Sequence, residues 1–147
     1  MDENNYKQEL LSILRKHSEQ AIRTLKEMDK VLPDKAKEVH IGIHPNQEPD
    51  GLFTIMVHLD GPDLYVLNKA IGDYRKLFDV KFVDGQLKPK VPLFDPFDEG
   101  FSVNDAIVDT SFVWVEEIWN VFGGTANKLP TLIFGADDYG TSTLKRL

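Results

Sequence analysis

The chain of 147 residues contains no cysteine, which excludes disulfide scaffolds, thiol catalysis, zinc–thiolate sites and iron–sulfur clusters. It has no apolar run close to the ~20 residues that cross a bilayer. Its first residues lack the basic start and apolar core of a secretory signal. These absences predict a cytoplasmic protein with no membrane partner. The length and the 41% apolar content predict a single globular domain over residues 1–147.

Recognised catalytic motifs are also missing. There is no Gly-x-Ser-x-Gly nucleophile elbow, and Gly123-Gly124-Thr125 lacks the lysine and the spacing of a phosphate-binding loop. Neighbouring carboxylates such as Glu116 and Glu117 do not face one another on a helix. The sequence therefore predicts neither an enzyme nor a cofactor.

Basic residues are scarce in part of the chain. The 17 lysines and arginines against 24 acids leave a net charge of −7, which disfavours nucleic acid as a partner. Residues 1–47 are balanced, so the remainder carries the whole excess. Between Lys90 and Lys128 there is no base, while seven acids, both tryptophans and five phenylalanines fall there.

Apolar residues recur at spacings of three and four in three segments, which predicts three helices. The first runs from Tyr6 to Leu32 and ends at Pro33. The second follows the turn at residues 60–63 and continues to Phe78. The third begins with a capping pair at residues 102 and 105 and continues to residue 122, although residues 113–115 would also suit a strand.

Alternating β-rich segments predict the strands. Residues 39–44 and 52–59 form one hairpin. Residues 80–83 and 87–91 form a second hairpin around Asp84-Gly85, weakened by Pro89. Residues 132–134 and 141–147 complete the set. This order predicts the α+β class, with an antiparallel sheet built from hairpins and about three helices packed on one face.

The base-free segment is the candidate functional surface. On a helix, its acids at 105, 109 and 116 share a stripe with two aromatic residues, pointing away from the apolar stripe. An acidic, aromatic surface suits a basic protein partner. The residues proposed to bind the partner are Asp95, Phe97, Asp98, Glu99, Asp105, Asp109, Phe112, Glu116 and Trp119. The alternative is a solvated helix face whose acids are neutralised by bases from elsewhere in the fold.

Two of these acids have no base near them in sequence. Reversing the charge at Asp109 and Glu116 is therefore expected to slow association with the partner. It should leave stability nearly unchanged, because like-charge repulsion along the helix is relieved.

Three histidines raise the question of a metal site. His40 and His44 share a strand face, but four strand residues span about 13 Å, too far for one ion to bind both. His58 lies on the polar side of the next strand, diagonal to His40 and near Glu38. Two imidazoles and a carboxylate match no recognised ligand spacing, so no metal is predicted.

The chain resembles the immunity proteins (antitoxins) of LXG-type polymorphic toxin systems of Gram-positive bacteria. The resemblance rests on residues 40–63 (HIGIHPNQEPDGLFTIMVHLDGPD), 102–109 (SVNDAIVD) and 135–140 (GADDYG), and covers most of the chain in size and order. It implies a cytosolic inhibitor that binds the C-terminal domain of a cognate toxin, often a nuclease. It carries over no individual residue.

Two other functions remain open. The first is a small-molecule-binding protein or an enzyme, with polar groups from Tyr65, Tyr74, His58 and Asp60 in a pocket. The second is an adaptor that forms homo-oligomers through the phenylalanines at 94, 97 and 101. The oligomeric state itself is not predicted.

Overall fold

The computed structural model describes residues 1–92, 94, 100–142 and 144–147. Its first 30 residues form two helices, α1 (Glu3–Lys16) and α2 (Ser18–Lys30), where the sequence predicts one. The break falls at His17, whose backbone N–H bonds to Leu14 O, three residues back, at 2.8 Å. Such a bond tightens the last turn of α1. The predicted apolar face is still buried, because both helices turn the same stripe inward.

The central hairpin is present within one residue of its predicted bounds. Strands β1 (Glu38–Pro45) and β2 (Phe53–Asp60) are antiparallel, with Ile41 opposite Val57 and Ile43 opposite Ile55. Alternate residues point to opposite faces of a sheet. The inner face is apolar and fully buried; it consists of Val39, Ile41, Ile43, Phe53, Ile55, Val57 and Leu59.

The second predicted helix is much shorter than its apolar stripe. Helix α3 (Leu64–Ala70) is followed by a 3₁₀ turn (Gly72–Tyr74) and by strand β3 (Lys76–Asp79), which pairs antiparallel with β2. Phe78 is therefore buried from a strand and not from a helix. Pairing with the free edge of β2 overrides the helical periodicity, as tertiary context often does.

The second hairpin forms a separate two-stranded sheet of β4 (Lys81–Val83) and β5 (Gln86–Lys88). Asp84 and Gly85 have φ values of 52° and 78°, as a tight two-residue turn requires. The return strand ends at Lys88, directly before the proline that the sequence marks as unfavourable.

Helix α4 (Val103–Phe122) includes residues 113–115, which settles their helix-or-strand ambiguity. The Ser102 hydroxyl accepts a hydrogen bond from Asp105 N at 3.3 Å and caps the helix. Gly123, with φ 89°, ends it. Buried residues occur on most of its circumference, because α4 packs on α1, α2 and the sheet at once.

Strands β6 (Thr131–Gly135) and β7 (Leu144–Arg146) extend the main sheet, whose order is β3-β2-β1-β6-β7. Strand β6 is parallel to β1, because α4 crosses over between them; the other pairs are antiparallel. The α+β prediction is confirmed. No helix of the described residues is long and apolar enough to span a membrane.

Candidate functional site

The acids predicted on α4 are bound to other parts of the fold. The Asp105 carboxylate accepts from Gly140 N at 2.8 Å. The Asp109 carboxylate accepts from Thr141 N at 2.8 Å and from its hydroxyl at 3.0 Å. Lys7 of α1 lies 3.6 Å from the other oxygen of Asp109. These two acids thus attach the turn after β6 to the start of α4.

The acids further along α4 are paired with bases. Glu116 lies 2.7 Å from Lys145 of β7, and Glu117 accepts two hydrogen bonds from Arg15 of α1, at 2.7 and 3.0 Å. The Arg15 guanidinium lowers the pKa of the Glu117 carboxyl. The neutralising bases lie 29 and 102 residues away in sequence, so inspection of the helix alone does not find them.

The two aromatic residues of the predicted stripe are not exposed. Phe112 and Trp119 are each 7% exposed, and Trp119 packs edge-on against Phe122 with centroids 5.0 Å apart. Their placement on a solvent-facing stripe is wrong, because α4 is covered on several sides. Asp95, Phe97, Asp98 and Glu99 lie outside the described residues. Whether these residues bind a partner stays a prediction.

The structure gathers acidic charge at one end of the main sheet instead. The loop after β1, the entry to α4 and the turn after β6 meet there. Asn104 Nδ2 donates to Asn46 O at 3.0 Å, and Phe94 N donates to Asp50 O at 3.3 Å. We call this region the acidic end and define it by its carboxylates: Glu48, Asp50, Asp105, Asp137 and Asp138.

The acidic end is built from three stretches of sequence without lysine or arginine. These are residues 38–68, 91–127 and 129–144. The second stretch contains the predicted functional surface, and the first and third lie beside it only through the fold. Glu48, Asp137 and Asp138 are exposed and form no ion pair within the described part of the chain. Their charge is therefore available to a partner.

A groove of about 520 Å³ opens at the acidic end. Phe94 and Phe101 form one wall, with ring centroids 5.1 Å apart, and both pack on Tyr6 of α1. These two rings thus face inward, which leaves less apolar surface for the predicted homo-oligomer contact. The groove is lined by Gln47, Pro49, Phe94, Gly100, Phe101, Ser102, Val103, Asn104 and Tyr139.

A buried polar atom in this wall lacks a partner. Asn104 is 2% exposed, and its Oδ1 accepts no hydrogen bond from the described residues. The orientation of the amide follows from its bond to Asn46 O, since only the NH₂ group can donate. A buried acceptor without a donor costs about 1–3 kcal/mol. Asn104 also lines the groove, although its Oδ1 has almost no exposed surface.

The buried hydroxyl of Tyr6 lies at the same end. It has no hydrogen-bond partner among the described residues. Burial, and then the charges of Asp50 and Glu9, raise the pKa of the Tyr6 phenol well above its usual range. Tyr6 is thus a neutral donor at every relevant pH.

The histidines are arranged differently from the prediction. His58 is directly opposite His40 and not diagonal to it, and its ring faces His44, with the Nε2 atoms 2.9 Å apart. His40 instead lies 3.2 Å from a Glu38 oxygen, and Asp60 completes a set whose ligand atoms all lie within 4.8 Å of one another. Two carboxylates and one imidazole could contribute three ligands to a divalent cation.

No curated protein and no solved structure matches the chain. One family model, described as a family of unknown function (DUF6389), matches residues 1–146, and the chain therefore belongs to the DUF6389 family.

Proposed function

We propose that this protein binds a basic protein at its acidic end and acts as an immunity protein, a cytoplasmic inhibitor of a toxin domain. The observation that supports this proposal is the meeting of three base-free stretches around one groove. A nuclease has a basic groove for its anionic substrate, and an acidic surface is complementary to such a groove.

The groove has chemistry suited to a lysine or arginine side chain. Asn104 lines the groove, and its unpartnered Oδ1 could accept from an ammonium or guanidinium if the amide becomes exposed on binding. Phe94, Phe101 and Tyr139 offer apolar surface for the aliphatic stem of that side chain. The exposed carboxylates around the groove would speed the encounter with a basic partner.

We infer binding and not catalysis at this site. The Ser102 hydroxyl is engaged as the cap of α4, so it is not placed as a nucleophile beside a base. The lining residues that the structure describes include no histidine and no lysine. Carboxylates, an amide and aromatic rings are groups that recognise a cation.

The proposal requires that a toxin gene lie beside the gene of this chain. The test is the association of the full chain with the purified toxin domain from that gene. The triple variant Glu48→Gln, Asp137→Asn, Asp138→Asn removes three exposed charges while keeping side chains that suit the positive φ of the two turn residues. We expect association to slow about tenfold at low salt and to depend less on salt.

The matched control removes three exposed acids elsewhere: Glu19→Gln, Asp34→Asn and Asp73→Asn. The change in net charge is the same, so only the location differs. We expect nearly unchanged association for this control. Equal effects of the two triple variants, or no complex of the unmodified chain at low salt, would overturn the proposal.

A further inference from the structure

A second groove lies on the outer face of the main sheet, beside α3. Its volume is about 520 Å³. The lining residues include three bases and no acid, although the chain carries a net charge of −7. They are Met56, Leu64, Tyr65, Asn68, Lys69, Gly72, Arg75 and Lys76. We call this the Arg75 groove.

The Arg75 guanidinium is held by neutral acceptors. Its Nε donates to Val57 O at 3.0 Å, and its Nη2 donates to His58 Nδ1 at 2.9 Å. No carboxylate of the described residues forms an ion pair with Arg75. The guanidinium is therefore fixed in place while its charge is not neutralised, and an arginine in that state can bind an anion in a preset geometry.

The hydrogen bonds define the proton positions on the two histidines. Arg75 can only donate, so His58 Nδ1 is an acceptor and the proton of His58 is on Nε2. That proton is donated to His44 Nε2 across 2.9 Å. Because His58 Nε2 carries a proton, the pair does not present two free nitrogens to a metal ion. The histidines support Arg75 and do not form a metal site.

Both imidazoles are neutral near pH 7. Burial lowers the pKa of His44. Burial, the repulsion that a protonated His44 would exert and the charge of Arg75 lower the pKa of His58 to about 4. Neutral imidazoles add no second cation against Arg75. For the same reason, the two histidines do not change the attraction of Arg75 for an anion.

The sheet makes room for this arrangement at Gly42. A Cβ at that position would lie 2.5 Å from His44 Nε2 and 2.6 Å from Phe134 Cζ. The rings of His44 and Phe134 therefore occupy the space that a side chain would fill. The two histidines behind Arg75 are thus packed into the sheet, and their contact with Arg75 is not a chance surface contact.

The rest of the groove combines charge with an exposed ring. Tyr65 is 74% exposed and Leu64 55% exposed, and Lys69 Nζ lies 5.8 Å from the Tyr65 ring centroid. Lys76 forms an ion pair with Asp79, with Lys76 Nζ 3.4 Å from Asp79 Oδ2. Arg75 and Lys69 form no ion pair with the described residues. Two such cations suit a dianion better than they suit a single carboxylate, and an exposed ring suits a flat partner.

We propose that the Arg75 groove binds a small phosphorylated molecule carrying a flat ring, of the nucleoside monophosphate class. Its phosphate contacts Arg75 and Lys69, and its ring lies against Tyr65. This site is separate from the acidic end, so the two proposals can fail independently.

The test is calorimetry of the full chain with three probes: adenosine 5′-monophosphate, inorganic phosphate and adenosine. We expect the monophosphate to bind with a Kd below about 1 mM, and the two fragments to bind at least about tenfold more weakly. No binding of the monophosphate, or equal binding of either fragment, would overturn the proposal.

Variants locate the site. Lys69→Gln and Tyr65→Ala change exposed side chains, and each should weaken monophosphate binding about five- to tenfold. Lys26→Gln, an exposed lysine on α2, is the matched control and should leave binding unchanged. If Lys69→Gln and Lys26→Gln have equal effects, attraction is non-specific and the proposal is wrong.

A spectroscopic readout separates binding at Arg75 from binding elsewhere. The charge of Arg75 contributes to the lowered pKa of His58. An anion at Arg75 offsets that charge, so the NMR titration midpoint of the His58 ring should rise when the monophosphate is bound. An unchanged midpoint at saturation would place the ligand elsewhere and contradict the proposal.

Discussion

The Nε2 atoms of His44 and His58 lie 2.9 Å apart, although the two residues are not opposite each other in the sheet. His58 is opposite His40, and His44 is opposite Thr54. The two rings lean toward each other over Gly42, where there is no side chain to separate them. A mid-strand glycine, which ordinarily weakens a strand, is here a requirement of the packing.

Gly42→Ala should therefore destabilise the protein. The new methyl group would contact His44 and Phe134 at less than 3.0 Å, so both rings must move and the bond between the histidines is lost. We expect a loss of about 1–3 kcal/mol in the free energy of unfolding, measured by urea denaturation. Gly72→Ala is the control. It meets no atom within 4 Å, and should be neutral or stabilising by up to about 1 kcal/mol.

Stability should fall as the pH decreases through the range between the two pKa values of His58. The pKa is about 4 in the folded chain against a usual value of 6.5. Below pH 6.5 the His58 ring of the unfolded chain takes up a proton that the folded chain does not. The contribution of the neutral His58 ring to the free energy of unfolding is therefore fully present above pH 6.5 and is lost as the pH falls toward 4. Because the ring is only half-buried, we discount the effect to about 1 kcal/mol between pH 7 and pH 5.

The measurement is urea denaturation at the two pH values, with His58→Gln for comparison. The variant should show a smaller difference between pH 7 and pH 5. An NMR titration of the His58 ring with a midpoint near pH 6.5 would contradict the arrangement in which Arg75 donates to His58 and His58 donates to His44.

Asp109 and Glu116 of α4 should contribute differently to the free energy of unfolding. Asp109 has a side chain 17% exposed and accepts from the backbone and the hydroxyl of Thr141. Asp109→Ala should cost about 1–3 kcal/mol, because the donors lose their acceptor. Glu116→Ala breaks an exposed pair with Lys145 and should cost less than about 1 kcal/mol.

Urea denaturation of both variants decides this. The sequence alone predicts that reversing both charges together leaves stability nearly unchanged or raises it, since like charges on one helix repel. Equal and negligible losses for the two variants would mean that the hydrogen bonds of Asp109 to the turn contribute nothing to stability.

Asn68→Ala should loosen α3 from the sheet. The Asn68 side chain accepts from Leu59 N at 2.8 Å and donates to Leu59 O at 3.1 Å and Leu64 O at 2.8 Å. Loss of these bonds should cost about 2–3 kcal/mol and should increase amide hydrogen exchange at Leu59. Unchanged exchange at Leu59 would show that α3 is held by other contacts.

Local sequence patterns were sufficient for much of the fold. The spacing of Tyr6, Leu10 and Leu14 identified the buried face of the first helix, and alternation identified the inner face of the central hairpin. The capping pair at Ser102 and the glycine after residue 122 marked both ends of α4. These features depend on neighbours within a few residues, so short windows of sequence contain the necessary information.

Long-range contacts decided the rest. The apolar stripe that ends at Phe78 has continuous helical spacing, but its last residues form strand β3 because they pair with the edge of β2. The acids at 109 and 116 gained partners from α1 and β7, and Phe112 and Trp119 were covered by neighbouring elements. No periodicity within α4 contains that information.

The same contrast between sequence and tertiary structure applies to the two grooves. Composition by itself determined that the chain is acidic, that it lacks thiol chemistry and that one long segment carries no base. Only the tertiary structure placed three base-free stretches at one end and put Arg75, Lys69 and Lys76 around a groove on the outer face. Charge along a chain is a sum, whereas binding depends on where folding places each charge in space.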